Sequence, residues 1–362
     1  MSGIPSQGPT SRQRGQRDLR DAAARGRYRG SGLPGRPLRR NPGAAERLPP
    51  PSRPETAQDR RTAWVWNLGW EAARRLPEPV AFAVADLLGR GAHRLARRTR
   101  AQVRHTLSRA VAAGGLDATV AAAFRSYARY WVEAFRAADL DPADLDRRTT
   151  TGGFAHLDRA LDRGRGVVVL LAHHGSWDVA AQWAETHGYH LAVVAEVLRP
   201  RALFAKFVRL REAVGLDVVP LRRGDALLDR LEMVTRDNHL VGLLSDRDLS
   251  RSAPVVQLFG EACRIPRGPA VLAARTGAAI VPITMLQLPG RRWHLQCLAE
   301  VEVEGLDVEQ ATQRIAGAIE DLIRLAPEQW HMFQPLYTQD LPVRRRRRVD
   351  AGAAGARARR RR

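Results

Sequence analysis

Four short apolar runs begin at residues 167, 191, 218 and 240, and stretches with helical periodicity separate them. That alternation restricts the chain to a narrow set of folds. The runs span 167–172, 191–195, 218–221 and 240–244, while 178–187, 201–214 and 225–236 carry apolar residues at helical spacing. Runs without a polar alternation belong to strands covered on both faces, and parallel strands need helical crossovers between them. Gly188 and Gly215 stand where C-terminal helix caps belong. The rhythm continues with a helix from near Gly268, a strand over 279–284, a last strand pair over 293–303 and a helix over 308–325. It predicts an α/β fold: a mainly parallel central sheet covered by helices on both faces, preceded by an N-terminal helical region.

Immediately after the first run stands His173-His174-Gly175-Ser176-Trp177-Asp178. Ser176 is placed as the N-cap of the helix that follows, so the hexamer forms a strand-to-helix turn. Substrates of open α/β sheets bind at the carboxyl ends of the strands. An imidazole there can take a proton from a hydroxyl, and a carboxylate can fix its tautomer and stabilise the imidazolium. His173 is the candidate base, with Asp178 as its orienting carboxylate. Adjacent side chains diverge in such a turn, so only one of the two histidines faces the pocket. Glu196 and Asp246 end two later strands, Arg247 follows Asp246, and Arg211 lies on the helix after Glu196 with which it is expected to pair. In one parallel sheet these termini converge on one edge.

Several motifs occur in a fixed order: Phe124 to Trp131, His173-x-Gly175-x-Trp177-Asp178, Asp246-Arg247-Asp248-Leu249, Phe259-Gly260-Glu261 and Trp330-His331-Met332. Together, from about Trp64 to Tyr337, the chain resembles the phosphatidylinositol mannoside acyltransferases of actinobacteria, relatives of the late lipid A acyltransferases. The resemblance implies an O-acyltransferase that moves a long acyl chain from acyl-CoA, a co-substrate, to a mannose hydroxyl, with no cofactor. It assigns the base to the first histidine, makes His173, Asp178 and Asp246 catalytic, and puts Glu196, Arg211 and Arg247, as substrate-binding residues, in a charge network around the base. It also implies a longer Glu at the Asp246 position, so contact between this shorter side chain and His173 stays open. Phe259, Pro266, Gly268 and Pro269 are expected to shape a loop over the pocket, and Pro282 matches a proline-bearing strand near the acceptor site. Another glycolipid or a lysophospholipid is an alternative acceptor. A divalent metal held by His173, Asp178 and Asp246 is a rival arrangement, disfavoured because no second histidine ends a matching strand.

Charge is unevenly spread. Residues 1–61 hold 14 Arg against 5 acidic groups and 344–362 hold 10 Arg against 1, so the ends supply most of the net +21. The body is close to neutral, which gives no reason to expect a nucleic-acid partner. Both ends lack apolar periodicity and read as disordered tails, and the C-terminal run suits an anionic membrane surface. The alternative from another class is a catalytically inert body whose basic tails bind nucleic acid or anionic lipid. The intervening 62–343 divides into a membrane-proximal helical part, 62–140, and an α/β core, 150–337. Trp64, Trp66 and Trp70 with Arg74 and Arg75 are the expected membrane contact. Cys263 and Cys297 form no metal or disulfide pattern. No secretory signal and no spanning segment is visible, so the expected place is the cytoplasmic face of the membrane, peripherally attached.

Overall fold

The computed structural model describes residues 55–197, 199–221, 226–248 and 253–341, so the expected tails lie outside the described residues except for 55–61. Those few residues are not tail. Thr56 accepts from the Asp59 amide while the Asp59 carboxylate accepts from the Thr56 amide. This capping box starts helix α1 (Ala57–Arg75) ahead of the expected boundary at 62. Helices α2 (Glu78–Leu95), α3 (Arg97–Leu107), α4 (Leu116–Arg136) and α5 (Pro142–Arg148) complete the helical N-terminal region.

Alternation then takes over: β1 (Thr149–Gly152), α6 (Phe154–Asp162), β2 (Val167–Leu171), α7 (Trp177–Thr186), β3 (Leu191–Ala195), α8 (Arg201–Ala213), β4 (Asp217–Pro220), α9 (Ala226–Arg236) and β5 (Leu240–Leu244). A hairpin of β6 (Val255–Leu258) and β7 (Glu261–Arg264) follows, then α10 (Gly268–Thr276), β8 (Ala279–Leu288), β9 (Arg292–Cys297) and α11 (Val308–Leu325). Seven strands form one sheet in the order β1-β9-β8-β2-β5-β3-β4, parallel at every junction except the antiparallel β8–β9 pair. Alternate residues of the central strands serve opposite faces. Val168, Leu170, Val241 and Ile280 pack with Leu272 of α10 and Ile315 and Ile319 of α11. Val167, Val169, Leu191 and Leu240 face Leu157 of α6, Val179 of α7 and Val208 of α8. Helices therefore cover both faces, and Gly188 and Gly215 follow α7 and α8 where expected.

Three local expectations change. The strand expected to end at 284 runs on to Leu288. Only the first part of 293–303 is strand, since β9 stops at Cys297. Pro282 accepts there from the Leu298 amide but has no N–H to return, so the regular ladder breaks, and beyond it the Val301 amide donates to the Ile280 carbonyl. Phe259 and Gly260 form the turn of the β6–β7 hairpin, both at positive φ, instead of a loop, and Gly268 and Pro269 open α10.

The tryptophans of α1 divide. Trp70 is 1% exposed, stacked on Phe135 at 4.6 Å and tilted against Phe207 at 5.0 Å. Trp66 meets Trp131 edge-on at 4.6 Å, and only Trp64 points outward, 66% exposed. Leu68, Leu87, Leu88 and Leu95 join Trp64 among the exposed large apolar side chains. Trp70 is thus core, because the face of α1 that carries it lies against α4 and α8. Among the described residues no helix is long and apolar enough to cross a membrane.

Candidate active site

Strands β2 and β5 are neighbours, and their register pairs Leu171 with Leu244. His173 and Asp246 each follow two residues later, so they emerge side by side from the sheet edge. His173 Nδ1 lies 2.7 Å from Asp246 Oδ1, and the His173 amide donates to Oδ2 at 3.0 Å. The Trp330 indole donates to the same Oδ2 at 2.9 Å. Asp246 is fully buried and His173 is part-exposed. Burial alone would push the Asp246 carboxyl up, but the adjacent His173 and the three donors outweigh it and hold the group below its ordinary range. An ionised Asp246 accepts from Nδ1–H, which leaves the lone pair on Nε2. The structure brings these two candidate residues together and closes the question of reach.

His174 turns the other way. Its Nε2–H donates to the Ala326 carbonyl and its Nδ1 accepts from the Thr284 hydroxyl, both at 2.9 Å. Burial lowers its pKa to about 4, so it is a neutral clamp. Gly175 (φ 65) is required by the turn, since a Cβ there would run into the Met285 carbonyl. The segment before Met332 braces the far side: the Gly175 amide donates to Gln329, and the His331 amide donates to the His173 carbonyl. The His174 and Ser176 amides are likewise spent on Ala172 and Met285. The turn therefore makes a rigid seat for an imidazole, and its amides from 173 to 176 form no oxyanion hole.

Asp178 does not reach His173. It accepts from Arg211 Nε and from the Tyr130 hydroxyl, each at 2.8 Å, in a buried cluster behind Trp177. The first turn of α7 carries Asp178 toward α4 and α8, away from the end of β5. Burial, together with the Asp178 charge, pushes the Tyr130 hydroxyl well above its usual range, so it remains a donor. Arg211 thus pairs with Asp178 instead of Glu196, which is exposed beyond β3. Arg247 is half-buried beside Asp246, near enough for its charge to act on the Tyr127 hydroxyl.

Ser176 occupies the N-cap position without making a cap bond. Its hydroxyl donates to Glu133, a buried carboxylate that also accepts from Gln287 at 3.0 Å, the Trp293 indole at 3.0 Å and Arg129 at 2.7 Å. Sequence reasoning missed Glu133 and Tyr130 as polar members of the site, although both sit in or beside the aromatic helix motif. Trp330 lay within a quoted motif, without a role.

Beside the charged cluster a narrow cavity of about 80 Å³ opens between α7 and the sheet. Trp177, Asp178 and Arg211 line one part, and the rest is almost wholly apolar, with Leu171, Val193 and Leu244 among its walls. The Trp177 ring stands edge-on to His173, with centroids 5.5 Å apart, and so links cavity and imidazole. Among the described residues no group of three or more His, Cys, Asp or Glu side chains is placed to hold a metal ion.

A family model described as bacterial lipid A biosynthesis acyltransferase matches residues 53–339. A phosphatidylinositol mannoside acyltransferase of Mycobacterium tuberculosis is 38% identical over 297 residues, covering 79% of this chain and 91% of that protein. Its namesake from Mycolicibacterium smegmatis is also 38% identical, over 290 residues, covering 78% of this chain and 93% of that protein.

Proposed function

This chain belongs to the bacterial lipid A biosynthesis acyltransferase family, and from that premise we propose that it transfers a long acyl chain from acyl-CoA to a mannose hydroxyl of phosphatidylinositol mannoside. It is an acyltransferase, so the alternative of an inert basic body falls. The observation that carries the finer reading is the His173–Asp246 pair beside an apolar cavity.

In the proposed reaction, His173 Nε2 accepts the hydroxyl proton as the oxygen attacks the thioester carbonyl. Asp246 stabilises the imidazolium through Nδ1–H. The tetrahedral intermediate collapses, the carbon–sulfur bond breaks, and the imidazolium returns its proton to the departing coenzyme A thiolate. The turn amides being engaged, stabilisation of the oxyanion falls to side chains, with Arg247 the nearest candidate in sequence. Ser176, held by Glu133, takes no acyl group. The proposed reaction uses neither metal nor prosthetic group, and a chelator should leave the rate unchanged.

The acceptor cannot leave the bilayer cheaply, since each CH₂ exposed to water costs about 0.8 kcal/mol. The enzyme therefore docks on the anionic cytoplasmic leaflet through the outward faces of α1 and α2. Trp64 and Leu68, four residues apart on α1, and the adjacent Leu87 and Leu88 on α2 lie exposed. Purified protein given palmitoyl-CoA and a panel of phosphatidylinositol mannoside, other glycolipids and lysophospholipids should release thiol and yield acylated mannoside. Acylation of another acceptor alone would correct the substrate, and no transfer from any acyl-CoA would remove the donor.

A further inference from the structure

Resting on the acyl-transfer reading, we infer that Trp330 is a positioning residue for that reaction: its indole locks the Asp246 carboxylate against His173, and Phe259 seats the indole. Both residues belong to motifs, Phe259-Gly260-Glu261 and Trp330-His331-Met332, that the reaction as drawn leaves without a task. Asp246 receives two of its bonds from His173 itself, Nδ1–H to Oδ1 and the amide to Oδ2. A third comes from a separate segment of the chain, the Trp330 Nε1–H to Oδ2 at 2.9 Å. That donor fixes the plane of the carboxylate, and with it the aim of Oδ1 at the imidazole.

The indole is in turn held in register with the histidine turn. Trp330 bridges to His174, and backbone bonds flank it on both sides, from the Gly175 amide to Gln329 and from the His331 amide to His173. It is 1% exposed, so water does not compete for its N–H. An indole donates and never accepts, so it always favours the ionised form of Asp246. A hydroxyl in its place could turn and accept instead.

Phe259 packs beside the indole, with ring centroids 6.1 Å apart, and the Arg324 guanidinium lies over the Phe259 ring at 5.3 Å. Its φ of 51° is one that a bulky side chain rarely takes, and Glu320 holds it there by accepting from its amide at 2.6 Å. Backbone held against its preference gathers at functional sites. Here it sets an aromatic ring against the residue that aims Asp246.

The charge of the pair is set by its own two members. His174, His331 and Cys263 lie near enough for the Asp246 charge to act on them, but burial holds both imidazoles neutral and pushes the Cys263 thiol up to about 12. Arg247, next in the chain, is a constant cation. Removing the indole N–H therefore reads out on His173 and Asp246 alone.

The test uses the full-length protein with Trp330→Phe, which keeps a ring and removes the donor, and Phe259→Leu, which keeps the donor and loosens its seat. With palmitoyl-CoA and phosphatidylinositol mannoside, kcat should fall at least about tenfold in Trp330→Phe while KM for palmitoyl-CoA stays within about twofold. A hydrogen bond to a charged group is lost, and no contact with substrate is. Phe259→Leu should show the same pattern with a smaller loss, and it carries the test should Trp330→Phe fail to fold. The second readout is an NMR titration of the His173 ring in histidine-labelled protein, assigned with His173→Gln. With the donor weakened or gone, the pair should take up its proton at higher pH than in the parent. A parent-like kcat in folded variants overturns the proposal. A kcat loss with an unmoved or lowered titration also overturns it, since Trp330 is then packing only. The titration needs no substrate. A rise in a protein that transfers nothing from palmitoyl-CoA would uphold the hold on Asp246 while the acyl-CoA reaction fails, and loss of both readouts removes both.

Discussion

Asp246 meets His173 because each stands two residues beyond one paired position, Leu244 on β5 and Leu171 on β2. Level strand ends let a short aspartate hold both the ring and the backbone amide of the same histidine. A register shifted by one residue would turn Asp246 to the other face of the sheet.

His173→Ala should lower kcat/KM by about 10²–10⁴, the usual worth of a general base. Asp246→Asn, which removes the charge that fixes the tautomer, should approach the same loss. Steady-state kinetics on palmitoyl-CoA check both, and parent-like rates in folded His173→Ala would remove it as the base.

His174 should govern acid stability instead. Its pKa is near 6.5 unfolded and about 4 folded, so between those values the unfolded chain binds a proton that the native state does not. Its contribution is whole above about pH 6.5 and declines by about 3 kcal/mol as pH falls to about 4. His331, also held neutral mainly by burial, acts in the same direction. Melting temperatures across that window should fall less steeply in His174→Gln than in the parent, although Gln lowers stability at neutral pH. Parallel curves would mean that His174 is protonated in the fold.

Arg211→Met should destabilise the protein by about 3–5 kcal/mol, because Asp178 would keep its buried charge with only Tyr130 to answer it. Adding Asp178→Asn should recover part of the loss. Denaturant melts of the single and double variants decide, and strictly additive losses would show that the two residues do not act as a pair.

What the sequence disclosed and what it withheld differ in range. The turn after β2 was legible because an apolar run, a glycine and a helical pattern are all local, and the convergence of His173 and Asp246 followed from both ending parallel strands. The partner of Asp178 was not legible. It depends on where α4 and α8 place Tyr130 and Arg211, which no spacing encodes. The short polar β1 and the β6–β7 hairpin lack the apolar runs that marked the other strands. Trp70 reads like Trp64 until packing separates them, since both belong to one Trp-rich helix.

That separation gives a membrane prediction. Serine at Trp64, Leu68, Leu87 and Leu88 together should weaken binding to anionic liposomes by at least about 100-fold, given about 1.5–3 kcal/mol for each fully buried apolar side chain. The melting temperature should stay within a few degrees of the parent. Trp70→Ala should do the reverse, costing about 3–5 kcal/mol of stability while the folded fraction still binds. Vesicle sedimentation checks both, and undiminished binding by the quadruple variant would put docking elsewhere.

Glu133 has a consequence for how the molecule can be divided. It is supplied by α4, yet its donors include Ser176 of the histidine turn, Gln287 of β8 and Trp293 of β9. A fragment starting after residue 140 would keep every candidate group that faces substrate and lose the one anion on which those three buried donors converge. The seat of the imidazole is thus assembled from both halves of the chain. Neither half holds that seat by itself.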